Sequence, residues 1–214
     1  MSDAGQNGCD GRFKAVAMVA SLGGLDAITA VLAGLPATFQ TPVVVLQHGR
    51  QSADAERLTR LLAARTVLPT CTAGPGLPMA GPGVVVVPTG WDVSFDSAGR
   101  FALTQSDGLH GGDALLAGLA RLLGPAVIGV VLTGMQRDGA LGVQEVKRRG
   151  GRVLVQDPAT ARAAGMPSAA VATGCVDFVL PLDRMAAALV TLTMAPGGAD
   201  LLTVPTSPWA RLPA

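Results

Sequence analysis

The stretch KAVAMVASLGGLD, from Lys14 to Asp26, sets the architecture of the chain. Its apolar run has the length and character of a buried strand, and a Gly-Gly pair then leads into residues with helical spacing. Ser21 follows the strand and precedes the helix. In open α/β sheets, ligands bind at the carboxyl ends of the strands, and N–H groups at a helix start stabilise negative charge. Ser21 is therefore a candidate nucleophile, although serine is also a common N-cap residue of helices.

Strand and helix patterns alternate along most of the chain. Apolar runs that indicate buried strands occupy residues 43–47, 126–133, 152–157 and 176–180, and helical patterns follow them. Between residues 72 and 105, a loop rich in Gly and Pro precedes three short strand-like runs, VVVVP, DVSF and RFALTQ, which we expect to form a small antiparallel excursion. The pattern predicts an α/β fold, doubly wound, with a mostly parallel sheet and helices on both faces.

The length of 214 residues suits one globular domain. We expect residues 1–12 to be a flexible N-terminal arm, because they are polar and rich in Gly. Residues 13–194 are predicted to form the domain. Residues 195–214, rich in Gly, Pro, Ser and Thr, are expected to be a flexible C-terminal tail.

The composition argues against several kinds of partner. The chain has no tyrosine, only 3% aromatic residues and a net charge of +1, so nucleic-acid binding is not expected. No apolar run reaches the roughly 18 residues that cross a bilayer, and the N-terminus resembles neither a signal nor a transit peptide, so membrane insertion is not expected.

Cys9, Cys71 and Cys175 form no C-x-x-C pair, which argues against a disulfide framework or a zinc site. A reducing, cytoplasmic location fits best.

A serine nucleophile needs a base and a carboxylate that orients the base. His48 and His110 are the only histidines; His48 ends a strand at the sheet edge of Ser21, whereas His110 lies in a Gly-rich turn and is less firmly placed. Asp138 follows the longest apolar strand and precedes a helix, which it could instead cap. The other aspartates that compete for the acidic role are Asp26, Asp92, Asp107, Asp113 and Asp157. Three residue types of a triad thus each follow a separate strand.

Other nucleotide and hydrolase motifs are absent. The α/β-hydrolase elbow G-x-S-x-G is not matched, because Val19 stands in place of the first Gly and the order Ser, His, Asp differs. Neither the G-K-[ST] ending of a P-loop nor a G-x-G-x-x-G fingerprint is present.

Five blocks of the sequence resemble, in order, the catalytic domain of the chemotaxis protein-glutamate methylesterases, the CheB family. They are VASLGGLDAI, VVVLQH, LTGMQRDGALG, QDPATARAAGMPSAAVATG and VDFVLPL. The resemblance implies Ser21 as nucleophile, His48 as general base and Asp138 as the orienting acid. The implied activity is hydrolysis of glutamyl methyl esters on the cytoplasmic helices of chemoreceptors, often with deamidation of glutamines, and no cofactor or metal is implied. Main-chain N–H groups near Leu22 and Met135 are the candidate oxyanion donors.

The chain departs from the family pattern around the expected cleft, at Leu22 after the nucleophile, at Gly49 after the histidine, at Trp91 and at Gly111. These departures leave the substrate open. A non-catalytic binding or regulatory module of the same fold, or an esterase for a different acyl substrate, are the alternatives. The family's N-terminal receiver domain is not expected before residue 13, so phosphorylation control within the chain is not expected.

Overall fold

A computed structural model gives the structure of the protein and describes residues 13–49, 55–79, 81–107 and 109–198. The predicted arm, residues 1–12, and residues 199–214 of the predicted tail lie outside the described residues, as does Cys9. The strands, in chain order, are β1 (Ala15–Ala20), β2 (Val43–Gln47), β3 (Thr70–Thr72), β4 (Val84–Val86), β5 (Trp91–Phe95), β6 (Phe101–Gln105), β7 (Val127–Val131), β8 (Arg152–Gln156) and β9 (Phe178–Leu180). The helices are α1 (Gly24–Ala33), α2 (Ala55–Ala63), α3 (Gly111–Leu123), α4 (Ala140–Arg148), α5 (Gly165–Ala172) and α6 (Leu182–Met194).

Seven strands form one sheet in the order β3-β4-β2-β1-β7-β8-β9, and every pairing in it is parallel. The strands β5 and β6 form a separate antiparallel pair. The predicted α/β fold with a parallel sheet and a small antiparallel excursion is therefore confirmed. One detail was wrong: the VVVV run supplies β4, which joins the parallel sheet instead of the excursion. Its Val84 and Val86 are buried in the core on one face, whereas Val85, on the other face, is partly buried.

Helices cover both faces of the sheet and enclose two apolar cores. On one face, α1, α2 and α6 pack through residues such as Ile28, Leu62 and Leu189. On the other face, α3, α4 and the β5–β6 pair pack through residues such as Leu116 and Val146. Side chains alternate between the two cores along each central strand, which explains why β1 is apolar throughout.

The strand order places a crevice at the carboxyl ends of the central strands. Strand β1 lies between β2 and β7, and the chain leaves β1 through α1 on one face but leaves β7 through α4 on the other. Such a reversal of winding opens a crevice between the connections at the carboxyl edge. Within the described part of the chain, every helix is too short or too polar to cross a membrane.

Candidate active site

Ser21 lies in a tight turn between β1 and α1. Its N–H donates to the carbonyl of Thr133, and its carbonyl accepts from Gly24, at N···O distances of 2.9 and 2.8 Å. Gly23 has a φ of +79°, which glycine adopts without strain, and Gly23 itself is the N-cap residue of α1. No side chain caps this helix, so the capping role that the sequence left open for Ser21 is not the one it has.

His48 is held beside this turn by the sheet register. Ala20 pairs with Gln47 across β1 and β2, and the His48 N–H donates to the Ala20 carbonyl at 2.8 Å. Neighbouring strands lie about 4.8 Å apart, so the first residue after β2 lies next to the first residue after β1. The imidazole is largely buried, with 18% of the side chain exposed.

Asp138 caps α3 and not the helix that follows it. Its Oδ2 accepts from the N–H of Gly112 at 2.7 Å, and its Oδ1 accepts from the N–H of Asp113 at 2.9 Å. The α4 helix instead has Gly139 at its N-cap, without a side-chain cap. The positive end of the α3 dipole and two donated N–H groups thus hold a carboxylate that is 5% exposed.

The Asp138 carboxylate also bonds His48 Nε2. Burial by itself raises the pKa of Asp138, but the hydrogen bond from His48 and those from the N–H groups of Asp113 and Gly112 outweigh it and hold the pKa below its usual value of 3.8. An ionised carboxylate accepts a proton donor, so Nε2 carries the hydrogen of the neutral ring. The lone pair is then on Nδ1, which is the nitrogen able to take a proton.

One cavity of about 290 Å³ brings the predicted residues together. It is lined by Ser21, His48, Gly49, Asp107, Leu109, Met135, Gln136, Asp138 and Met166. Within the described residues, the Ser21 hydroxyl makes no hydrogen bond with His48. Hydrogen bonds between catalytic groups are often long without substrate, and the shared cavity places both side chains where one bound ester could contact them.

The two predicted oxyanion donors, Leu22 and Met135, differ in their relation to this cavity. Met135 lines it and is 67% exposed, whereas Leu22 is next to Ser21 and is 46% exposed. Among the residues that the structure describes, the N–H groups of Leu22 and Met135 donate no hydrogen bond. Both are therefore available to an anion.

Sequence reasoning missed the polar network beneath Ser21. The Thr133 hydroxyl donates to the Leu22 carbonyl and accepts from the Ala163 N–H, both at 2.9 Å. The Thr133 N–H donates to the buried Gln156 Oε1, also at 2.9 Å. The network fixes the nucleophile turn to the loop before α5. The available signal was a polar residue, Thr133, at the end of a long buried apolar run, as Ser21 and His48 also follow apolar strands.

Two glycines also allow the close packing of the site, and sequence reasoning did not assign them. A Cβ on Gly112 would lie 2.4 Å from Asp138 Oδ2, and a Cβ on Gly134 would lie 2.9 Å from the Ser21 Cβ. Only glycine fits at these positions without displacing the neighbouring side chains.

His110 and two of the four departures from the family pattern, Trp91 and Gly111, do not line the Ser21 cavity, whereas Gly49 lines it and Leu22 is next to Ser21. His110 is exposed, and its Nδ1 is 3.9 Å from Asp113 Oδ2. Trp91 begins β5 and lines no part of the Ser21 cavity. Gly111 begins α3, where a Cβ would meet Leu46 at 3.0 Å.

A metal site is not assigned. His110, Asp113 and Asp138 offer ligand atoms within 4.8 Å of one another. The Asp138 oxygens, however, already accept from His48 and the α3 N–H groups, and Asp113 Oδ1 accepts from the Gly142 N–H at 2.7 Å. Hydrogen bonding therefore accounts for this cluster.

Comparison with known proteins gives consistent matches. A family model described as CheB methylesterase matches residues 16–189. The protein-glutamate methylesterase FrzG of Myxococcus xanthus is 38% identical over 182 residues, 83% of this chain and 54% of that protein. A protein-glutamate methylesterase/protein-glutamine glutaminase of Geobacter sulfurreducens is 38% identical over 190 residues, 84% of this chain and 50% of that protein. The chain thus spans about half the length of these curated relatives.

A solved structure matches the fold over nearly its whole length. The CheB methylesterase catalytic domain of Thermotoga maritima superposes with a TM-score of 0.79 at 29% sequence identity, covering 85% of this chain and 99% of that one. The part of the relatives that this chain shares therefore includes a catalytic domain.

Proposed function

Because this chain belongs to the CheB methylesterase family, we propose that it is a serine hydrolase that cleaves glutamyl methyl esters on a protein substrate. The observation that carries the proposal is the cavity that Ser21 and His48 share, with His48 bonded to a carboxylate that α3 keeps ionised. We propose residues 13–194 as the catalytic unit.

The proposed reaction begins with attack by Ser21. The Oγ bonds to the ester carbonyl carbon while His48 Nδ1 takes the hydroxyl proton, and the carbonyl oxygen becomes an oxyanion. Collapse of this intermediate breaks the bond to the methoxy group, which receives the proton from Nδ1 and leaves as methanol. A water molecule, deprotonated by the same nitrogen, then attacks the acyl carbon; the bond to the Ser21 Oγ breaks, Oγ regains the proton from Nδ1, and the glutamate side chain is released.

The surrounding groups have separate tasks in this scheme. Asp138 holds the imidazole with its hydrogen on Nε2 and stabilises the imidazolium that forms in each step. The N–H groups of Leu22 and Met135 are the proposed donors to the oxyanion, since both are unpaired within the described residues. The same attack on a glutamine amide would release ammonia, which is the second activity named for the Geobacter relative.

The proposed substrate is the methylated cytoplasmic helix of a chemoreceptor, as the family resemblance implies. A cytoplasmic location follows from that substrate and agrees with the free thiols of Cys71 and Cys175.

The direct test is methanol release from a methylated receptor. The Ser21→Ala protein should lose at least about a thousandfold in rate because no nucleophile remains. Ser94→Ala, an exposed serine on β5 away from the cavity, should retain the parent rate. Full activity in Ser21→Ala would overturn the mechanism. A parent protein that binds receptor but neither releases methanol nor reacts with a fluorophosphonate probe would favour the non-catalytic alternative.

A further inference from the structure

An exposed arginine, Arg162, lies beside the nucleophile turn. Arg162, in the loop between β8 and α5, has an exposed side chain that forms no hydrogen bond or ion pair with any other described residue. Its stem packs on Gly23, where a Cβ would lie 2.9 Å from Arg162 Cδ and 3.0 Å from Arg162 Cβ. The contact is close only because residue 23 is glycine, two positions after Ser21.

The main chain around Arg162 is also fixed relative to Ser21. The Ala163 N–H donates to the Thr133 hydroxyl, and the Ala163 carbonyl accepts from the Gly134 N–H, both at 2.9 Å. The Thr133 carbonyl in turn accepts from the Ser21 N–H. Arg162 is thus held beside the nucleophile turn both through its stem and through the neighbouring backbone, and its side chain is exposed there.

Among the described residues, no carboxylate lies within ion-pair distance of Arg162. Of the two carboxylates that line the cavity, Asp138 is buried and bonded to His48, and Asp107 is exposed in the segment before α3. Leu22, the residue before Gly23, is apolar and exposed, as is Met135 in the cavity lining. An unpaired guanidinium beside apolar surface is suited to bind a carboxylate of a docked chain.

We propose that Arg162 binds a carboxylate of the substrate other than the scissile group, and so selects glutamyl esters that have an acidic neighbour. The inference rests on the proposed function, because the ester must be docked at Ser21. The methyl ester itself is neutral and cannot supply the charge. On a helix, residues three or four positions away lie about 5–6 Å from the reacting side chain on the same face, within reach of a long arginine.

The test measures binding in the Ser21→Ala background, so that no turnover is needed. The probes are two fluorescent helical peptides with one glutamyl methyl ester, which differ only in having Glu or Gln four residues from it. With Arg162 present, the Glu peptide should bind about threefold more tightly at low salt, and added salt should reduce this preference. Arg162→Gln should bring the ratio of dissociation constants to about one, and Arg162→Glu should reverse it.

Arg121→Gln is the matched control. This exposed arginine lies in the last turn of α3, at the opposite edge of the sheet, and should keep the full preference. Equal or undetectable affinity for the two peptides with Arg162 intact would overturn the inference, as would a preference that survives Arg162→Gln. If the preference depends on Arg162 but the Ser21-containing protein releases no methanol, the proposed function fails and the carboxylate site stands.

Discussion

Asp138 determines the chemistry of the site at the scale of single residues. Its two oxygens accept from two main-chain N–H groups and from His48, so it is both the cap of α3 and the partner of the imidazole. The contact with Nε2 makes Nδ1 the basic nitrogen. A single carboxylate thereby links the start of a helix to the orientation and tautomer of the imidazole.

Replacing Asp138 with asparagine should reduce kcat by about a thousandfold or more. An asparagine has only one accepting oxygen, so it cannot accept both from the α3 N–H groups and from His48. It therefore favours the wrong tautomer of the imidazole. The NH₂ group would also face a donated N–H of Gly112 or Asp113, so the free energy of unfolding at pH 7 should fall by about 1–3 kcal/mol. Methanol release and thermal unfolding measure the two effects.

The pH dependence of this stability difference follows from the lowered pKa of Asp138. A carboxyl whose pKa is lower in the folded state contributes stability above its ordinary value of 3.8, and the contribution is lost as the pH falls through the folded pKa. The stability gap between the parent and Asp138→Asn should therefore be full at pH 5–7 and narrow below about pH 3.8. A gap that widens on acidification would contradict the assignment.

The start of α3 is the element on which the site depends. Gly111 and Gly112 let the first turn approach β2 and Asp138 closely, and the helix dipole points at the carboxylate. The sequence alone indicates a Gly-rich turn here and, at Gly111, a departure from the family pattern, but it does not predict the packing of Gly112 against Asp138.

Gly112→Ala should separate activity from helix stability. Alanine favours a helix over glycine by about 1 kcal/mol, yet its Cβ would lie 2.4 Å from Asp138 Oδ2 and must displace that side chain. We expect kcat to fall by about a hundredfold, since small displacements of catalytic groups have costs of that size. Circular dichroism should show a folded protein.

Gly74→Ala is the matched control for Gly112→Ala. A Cβ on Gly74 meets nothing within 4 Å, so kcat and unfolding temperature should stay at the parent values. Equal activity of the two variants would show that the close approach at Gly112 does not position Asp138.

The strands show what the sequence could predict and what it could not. Long apolar runs predict β1, β2 and β7, because burial on both faces demands such runs, and the residues that follow them were correctly placed at one edge of the sheet. The three-residue β3 carries no such signal, and β4 was assigned to the wrong sheet because pairing depends on contacts distant in sequence. The hydrogen bonds from α3 to Asp138 and those around Thr133 could not be predicted for the same reason, because they join residues distant in sequence. The catalytic roles stay a prediction.

At the scale of the whole molecule, the site and a buried ion pair lie at opposite edges of the sheet. Ser21, His48 and Asp138 follow the carboxyl ends of strands. A buried ion pair joins Lys147, in the last turn of α4, to Asp177, just before β9, at the amino edge. Asp177 Oδ2 also accepts from the Val153 N–H at 2.7 Å. The pair therefore fastens α4 to the sheet far from the cavity.

Lys147→Met should destabilise the fold without changing the chemistry. Both side chains are almost fully buried, with 4% and 0% exposed, so removal of the lysine leaves an uncompensated carboxylate in the core. We expect a loss of about 3–5 kcal/mol in the free energy of unfolding, measured by urea denaturation. Because the pair is remote from Ser21, kcat per folded molecule should be unchanged below the unfolding transition.

Two further variants distinguish the effect of an unpaired buried charge on stability from the effect of losing any lysine. Adding Asp177→Asn to Lys147→Met should recover much of the stability, since the amide oxygen can still accept from Val153 and no charge remains buried. Lys14→Met removes an exposed lysine and should stay within about 0.5 kcal/mol of the parent. If Lys147→Met instead lowered kcat in molecules that remain folded, the two edges of the sheet would be coupled. The separation of site from scaffold inferred from the strand order would then be wrong.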